Sequence, residues 1–155
     1  MPNNVTAKTA WARKYIRPAV AVVLALVLLV GVLAWHRQDV RWLNVHGRRI
    51  RLAVATTPSA QAKGLGGRAS LPSDQGMLFV FSQAATQCFW MKDMRFSIDI
   101  LWLDGGQRVR FVQADVSPRT YPKAFCPAVP ARFVVELPAG QAARDGIRTG
   151  QRLSF

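Results

Sequence analysis

The sequence predicts a mainly β domain, an antiparallel β-sandwich or barrel with two short helices, preceded by one N-terminal transmembrane helix. Three features predict it. Seven or eight short stretches with strand patterning follow one another between Gly-, Pro- and Asp-containing turns. Only two stretches, both short, carry helix signals. A single uncharged apolar run precedes them all in the 155-residue chain, which is 50% hydrophobic.

That run, Ala19 to Trp35, is 17 residues long. As a helix it extends about 25 Å, at the short end for a hydrocarbon core of roughly 30 Å. Trp11 and Tyr15 precede it and Trp35 closes it, aromatic residues suited to the two interfaces. Lys8, Arg13, Lys14 and Arg17 stand before it with no acid, which favours a cytoplasmic N-terminus and export of everything after Trp35. Arg37, Arg41, Arg48, Arg49 and Arg51 on the far side weaken that bias without reversing it, because a folding domain translocates despite its charge. Signal cleavage near Ala34, giving a secreted domain, is the alternative. The 18-residue basic lead is long for a signal peptide, so an uncleaved anchor is the reading taken. The organisation is then residues 1–18 in the cytoplasm, 19–35 in the inner membrane, 36–48 a linker with a first strand, and 49–155 a β domain on the periplasmic side.

Within the exported part, Arg41 to His46 and Arg49 to Ala55 read as a hairpin through Gly47, the second strand alternating with Ile50, Leu52 and Val54 on one face. Thr57-Pro58 opens a short helix, as N-cap and first helical residue, and Gly64, Gly66 and Gly67 stop it. Gly76 to Phe81, Cys88 to Met91 and Ile98 to Leu103 are apolar runs of strand length, the last closed by the turn Asp104-Gly105-Gly106. Arg108 to Val116 returns from that turn. Pro118, Pro122, Pro127 and Pro130 mark an extended loop, anchored by Tyr121 and Phe125. Phe133 to Leu137 is a further strand, Ala139 to Arg144 a helical turn or two, and Gly150 to Phe155 a closing strand.

The formal charge of +13 invites a nucleic-acid partner. Residues 35–155 carry 17 of the basic residues and all 8 acids, so the exported part is +9 and its cations are scattered. On that side of a membrane nucleic acid is not expected, and solvated faces or anionic headgroups near the tether take its place. Two histidines, His36 and His46, leave no multi-histidine metal site and no base for a Ser, Cys or Thr nucleophile. No phosphate loop, zinc spacing or dinucleotide fingerprint occurs. No metal or cofactor is expected, and an enzyme is the less favoured class.

Gly64-Leu65, Arg68, Leu71-Pro72, Gly76-Met77-Leu78-Phe79-Val80-Phe81, Phe89-Trp90-Met91-Lys92, Asp99-Ile100 and Val135-Glu136-Leu137-Pro138-Ala139-Gly140 form an ordered series over roughly Arg49 to Phe155. In this order and spacing the chain resembles the DUF192 family, also called UPF0127. The resemblance implies a small, β-rich, jelly-roll-like domain, often exported, with no assigned biochemical activity and no catalytic residue to carry over. The chain departs from that pattern at Gly66, where Met is common, at Asp93-Met94, at Ser97 and at Gln151.

The candidate residues are few. Asp99 lies among apolar residues on both strand faces, where a carboxylate needs partners. Arg68, Lys92 and Arg95 are candidate counter-charges, and amides of a capped loop are the alternative. Asp93 and Asp99 could form a two-carboxylate hydrolase only if a turn brings them together, since six residues of straight strand separate them by about 20 Å. Trp90 followed by Lys92 and Asp93 suits a groove edge that stacks on a sugar ring, although Phe89, Trp90 and Met91 also suit a core. Cys88 and Cys126, the only cysteines, could close a disulfide in an oxidising space and pin the Pro-rich loop, or remain separate buried thiols. The favoured function is a membrane-anchored module that binds an envelope glycan, polymer or assembly partner through Arg68, Trp90, Lys92, Asp93, Asp99, Tyr121 and Phe125. The alternatives are an envelope hydrolase using Asp93 and Asp99, and a purely structural subunit of a membrane complex.

Overall fold

The structure, a computed structural model, describes residues 39–155. The expected cytoplasmic lead, the anchor at 19–35 and the possible cleavage near Ala34 lie outside the described residues. Among the described residues no helix is long and apolar enough to cross a membrane.

The described residues form eight strands and two short helices, in order β1 (Val40–Val45), β2 (Arg48–Ala55), α1 (Pro58–Lys63), β3 (Gln75–Ala85), β4 (Phe89–Trp90), β5 (Ile98–Leu103), β6 (Val109–Val116), β7 (Ala124–Phe125), β8 (Ala131–Pro138) and α2 (Gln141–Arg144). A 3-10 turn, Pro118–Thr120, lies in the Pro-rich loop. Six strands form one sheet in the order β1-β2-β3-β8-β5-β6, and β4 pairs with β7 as a separate ribbon. The domain is mainly β, but the main sheet is mixed: β2 and β3 run parallel, whereas an antiparallel sheet was expected. Nineteen residues, including α1, separate these two strands. A parallel crossover needs a dozen or more residues and usually a helix, so this connection is long enough to reverse the chain twice.

Local signals set the boundaries. Thr57 caps α1 by accepting the Ala60 amide at 3.2 Å, with Pro58 in the first turn. Gly76 has no room for a side chain, because a Cβ there would lie 2.6 Å from the Glu136 carbonyl and 2.8 Å from Leu52. That bare position lets β2, β3 and β8 approach closely. Gly150–Phe155 bridges both sheet edges, through Asn44 with Ser154 and Arg108 with Arg152, instead of forming the full strand expected.

Alternation along the strands sorts the core into two clusters, one per sheet face. Leu43, Ile50, Leu52, Leu101, Leu103, Val135, Leu137 and Leu153 belong to the first, which the C-terminal bridges enclose. Met77, Phe79, Ile98, Ile100, Trp102 and Val134 belong to the second. Leu65 and Met91 from loops, with Phe89 of β4 and Phe125 of β7, cover this second face, and the candidate site opens in that cover.

Candidate ligand-binding site

Glu136 is the only glutamate of the chain. In β8 it pairs across with Met77 of β3 and Ile100 of β5, so its side chain enters the second face. It is 5% exposed, and its Oε2 has no hydrogen-bond partner. Burial pushes the carboxyl up to about 8, with the Arg68 guanidinium pulling the other way. The cause is loss of water around the charged form, which outweighs a cation that makes no ion pair with it. At neutral pH the group therefore carries its proton.

A cavity of about 220 Å³ opens over this carboxyl. Phe79, Phe81, Phe89 and Trp90 supply apolar walls, Gln61 and Gln87 supply amides, and exposed Lys63 and Lys92 stand at the mouth. Phe89 is held edge-on between Phe79 at 4.8 Å and Trp102 at 5.8 Å between ring centroids. Its neighbour Trp90 is 55% exposed. Three devices hold this wall: the β4–β7 pairing of Phe89 with Phe125, the disulfide joining Cys88 to Cys126, and the Trp102 indole N–H donating to the Gln87 carbonyl at 2.8 Å. The opposite wall comes from α1. The Gln61 side-chain amide donates to the Val80 carbonyl at 2.9 Å, which seats the helix on the sheet.

Two glycines shape the opening. Gly64 ends α1 with φ +50°, and a Cβ there would sit 3.4 Å from the Phe79 ring and 3.9 Å from Glu136 Oε2. At Gly66 a Cβ would lie 2.9 Å from the Lys63 carbonyl and 3.3 Å from that of Lys92. The missing side chain thus lets the end of α1 approach the segment after β4 and brings the two lysines to one mouth. Gly66, Lys63 and Lys92 also line a wider basin of about 590 Å³ that adds Asp93 and Arg95. The site is a ring-sized cavity opening into a mostly cationic basin.

The residues singled out in the sequence divide between the two faces. Trp90 and Lys92 line the cavity, Asp93 lines the basin, and Arg68 bears electrostatically on Glu136. Phe125 packs behind Phe89 against the second cluster. Tyr121 is 49% exposed and lines neither hollow. Asp99 pairs across with Leu137 and so faces the first cluster, behind the sheet. Its Oδ1 accepts the amides of Asp115 at 2.9 Å and Gly140 at 3.0 Å, and its Oδ2 that of Ala142 at 2.8 Å. Of the two kinds of partner weighed for Asp99, backbone amides hold it and Arg68, Lys92 and Arg95 do not, and the sheet keeps Asp99 apart from Asp93. Glu136 is the site residue that the sequence reading passes over. The signal was available, since Glu136 stands among Val134, Val135 and Leu137 as Asp99 stands among its own apolar neighbours.

Fold and cleft together define a small mixed-sheet β domain with one buried acid under an aromatic, lysine-rimmed opening. The chain belongs to the DUF192 family, described as an uncharacterised ACR, whose family model matches residues 41–155. The match includes β1, the first strand expected ahead of the 49–155 domain. A crystal structure of a candidate transcription regulator from Sinorhizobium meliloti 1021 is similar, with a TM-score of 0.71 and 26% identity over 76% of this chain and 94% of that one. A protein of unknown function from Novosphingobium aromaticivorans DSM 12444 is similar too, with a TM-score of 0.69 and 28% identity over 77% of this chain and 88% of that one. No curated protein matches the chain.

Proposed function

We propose that this protein is a membrane-anchored, periplasm-facing module that binds the end of an envelope glycan in the cleft beside Trp90. One observation carries the reading: a half-exposed tryptophan and a buried, unpartnered carboxyl share one ring-sized cavity. At about 220 Å³ the cavity is smaller than the roughly 300–1,000 Å³ of pockets for drug-sized ligands. It suits one ring, with the rest of a polymer lying along the open basin. An aromatic face with a few convergent polar groups is the surface a sugar uses, apolar C–H bonds on the ring and hydroxyls on the amides. The apolar run at 19–35 supports the anchor. The Cys88–Cys126 disulfide supports export, since such bridges persist in oxidising compartments.

The other readings have less behind them. A hydrolase built on Asp93 and Asp99 lacks a shared cleft. A purely structural subunit leaves an unpartnered buried acid without a role. The regulator description belongs to the Sinorhizobium protein, and among the described residues no helix exceeds six residues, so nothing here matches a helix that reads DNA.

The test is a titration of the full-length chain in detergent micelles with fragments of envelope glycan, followed by calorimetry. Saturable binding that Trp90→Ala weakens at least tenfold is the expected result. No heat with any fragment would sink the glycan reading.

A further inference from the structure

We propose that the ring bound in this cleft is a sugar acid, held by a hydrogen bond from the Glu136 carboxyl to the ligand's carboxylate, with Lys63 and Lys92 facing its charge at the mouth. The proposal rests on the glycan reading above and adds the chemical class of the ring.

It starts from an imbalance in the cavity. Glu136 Oε2 is buried, without a partner, and next to the bare wall at Gly64. A buried polar atom left unpaired is destabilising, and the carboxyl that carries it lines the cavity, where a ligand group can meet it. What faces Glu136 decides its protonation. Met77 and Phe79 of β3 and Ile100 of β5 bring no titratable group. Arg68 acts on it without an ion pair, and Lys63 and Lys92 stand farther out at the mouth. A carboxyl in so apolar a floor keeps its proton near neutrality and presents an O–H donor where a carboxylate would present only acceptors.

A donor at the floor and two unpaired ammonium groups at the mouth together recognise an anion. Only two ion pairs occur among the described residues, Arg48 with Asp145 and Arg110 with Asp104, and neither involves these lysines. A phosphate group usually meets guanidinium forks or a row of backbone amides. The cavity lining offers no guanidinium, and at the end of α1 the Gly64 and Gly66 amides already donate to the Ala60 and Lys63 carbonyls. One O–H and two ammonium groups match the single charge of a carboxylate. The planar carboxyl of a sugar acid can share one proton with Glu136 while its ring stacks on Trp90.

The experiment is calorimetry on the full-length chain in detergent micelles at pH 6 and pH 9. The probes are galacturonic acid, its methyl ester, galactose and galactose 6-phosphate. Galacturonic acid should bind roughly 10- to 100-fold more tightly than its methyl ester and galactose, the discrimination of a charge-assisted hydrogen bond. Above about 8 the wild-type affinity should fall about tenfold per pH unit as Glu136 loses its proton. Glu136→Gln keeps an N–H donor and cannot ionise, so it should bind at both pH values alike. Glu136→Ala should lose the preference for the acid.

Equal affinity for acid and methyl ester, with Trp90→Ala still harmful, overturns the sugar-acid assignment and leaves the glycan reading standing. Galactose 6-phosphate binding as well as galacturonic acid overturns the choice of carboxylate over phosphate. The same pH dependence in Glu136→Gln as in wild type overturns the role of Glu136. No binding of any probe, together with no binding of glycan fragments, removes both readings.

Discussion

Asp99 and Glu136 are two buried acids on neighbouring strands, one on each face of the same sheet. Asp99 has three backbone amides on its two oxygens. Glu136 has an oxygen with none. The same side-chain chemistry in similarly apolar strands therefore has opposite meanings. A carboxylate saturated by amides is a structural clasp: it fastens the β6 end and the start of α2 to β5. A carboxyl with a vacant bonding direction under a cavity is a place where something else completes the shell. Partner count separates these two acids better than burial does.

The sharpest way to break this comparison is to remove the clasp. Asp99→Ala leaves the Asp115, Gly140 and Ala142 amides without an acceptor and should lower stability by roughly 5 kcal/mol. Asp99→Asn keeps one acceptor oxygen for two of the amides and turns an N–H toward the third, a loss of about 2 kcal/mol. Urea titration followed by circular dichroism measures both. A loss under 1 kcal/mol for the alanine variant would show that Asp99 is no clasp.

The next largest effect belongs to the cleft face. Replacing Cys88 and Cys126 by Ser opens a loop with a sequence separation of 38. By the chain-entropy relation this costs about 4 kcal/mol. Because the bridge holds the wall that carries Phe89 and Trp90, it should also weaken ligand binding. Asp99→Asn, behind the sheet, should not. Equal binding losses in the two variants would mean that the faces are not independent.

How much of this could be read from the sequence depends on the distance over which each signal acts. Thr57 and Pro58 announce α1, and the alternation of Ile50, Leu52 and Val54 announces β2, because both signals lie within a few residues. The cysteine pairing was legible because only two cysteines exist to pair. Strand order is not written locally, so the parallel β2–β3 pair was missed. Glu136 carries the same local signal as Asp99, but its role is not written locally. Its cavity is made by Gly64, Phe79 and Trp90, far off in sequence, and only the fold shows that no donor reaches Oε2. Asp99 stands out because it lies among apolar strand residues with Lys92, Asp93 and Arg95 just before it, and the sheet then separates what the sequence lists together.

Glu136 also makes a prediction of opposite sign. Its folded value, about 8, lies above its ordinary value of 4.5. The folded state thus holds its proton more tightly than the unfolded chain, and the contribution to stability is fully present below about 4.5. It is lost as pH rises through about 8. Unliganded wild type should lose a few kcal/mol of stability between pH 5 and pH 9, from this group alone. Glu136→Gln removes that slope and should be more stable than wild type at pH 9. Parallel urea midpoints for the two proteins across this range would show that the carboxyl is not held neutral.

The smallest effect on stability is expected at Trp90, and there the contrast between fold and function is cleanest. Its ring is 55% exposed, and its neighbour Phe89 supplies the buried aromatic contacts of β4. Trp90→Ala removes surface that is already half in water, so its cost should stay under about 1 kcal/mol. Phe89→Ala deletes a ring packed against Phe79 and Trp102 and should cost roughly 3 kcal/mol. If Trp90 serves the fold, the two losses converge. If it serves the ligand, Trp90→Ala leaves the urea midpoint almost unmoved and weakens glycan binding at least tenfold. Binding and stability measured on the same preparation decide between these, because they move together in the first case and separately in the second.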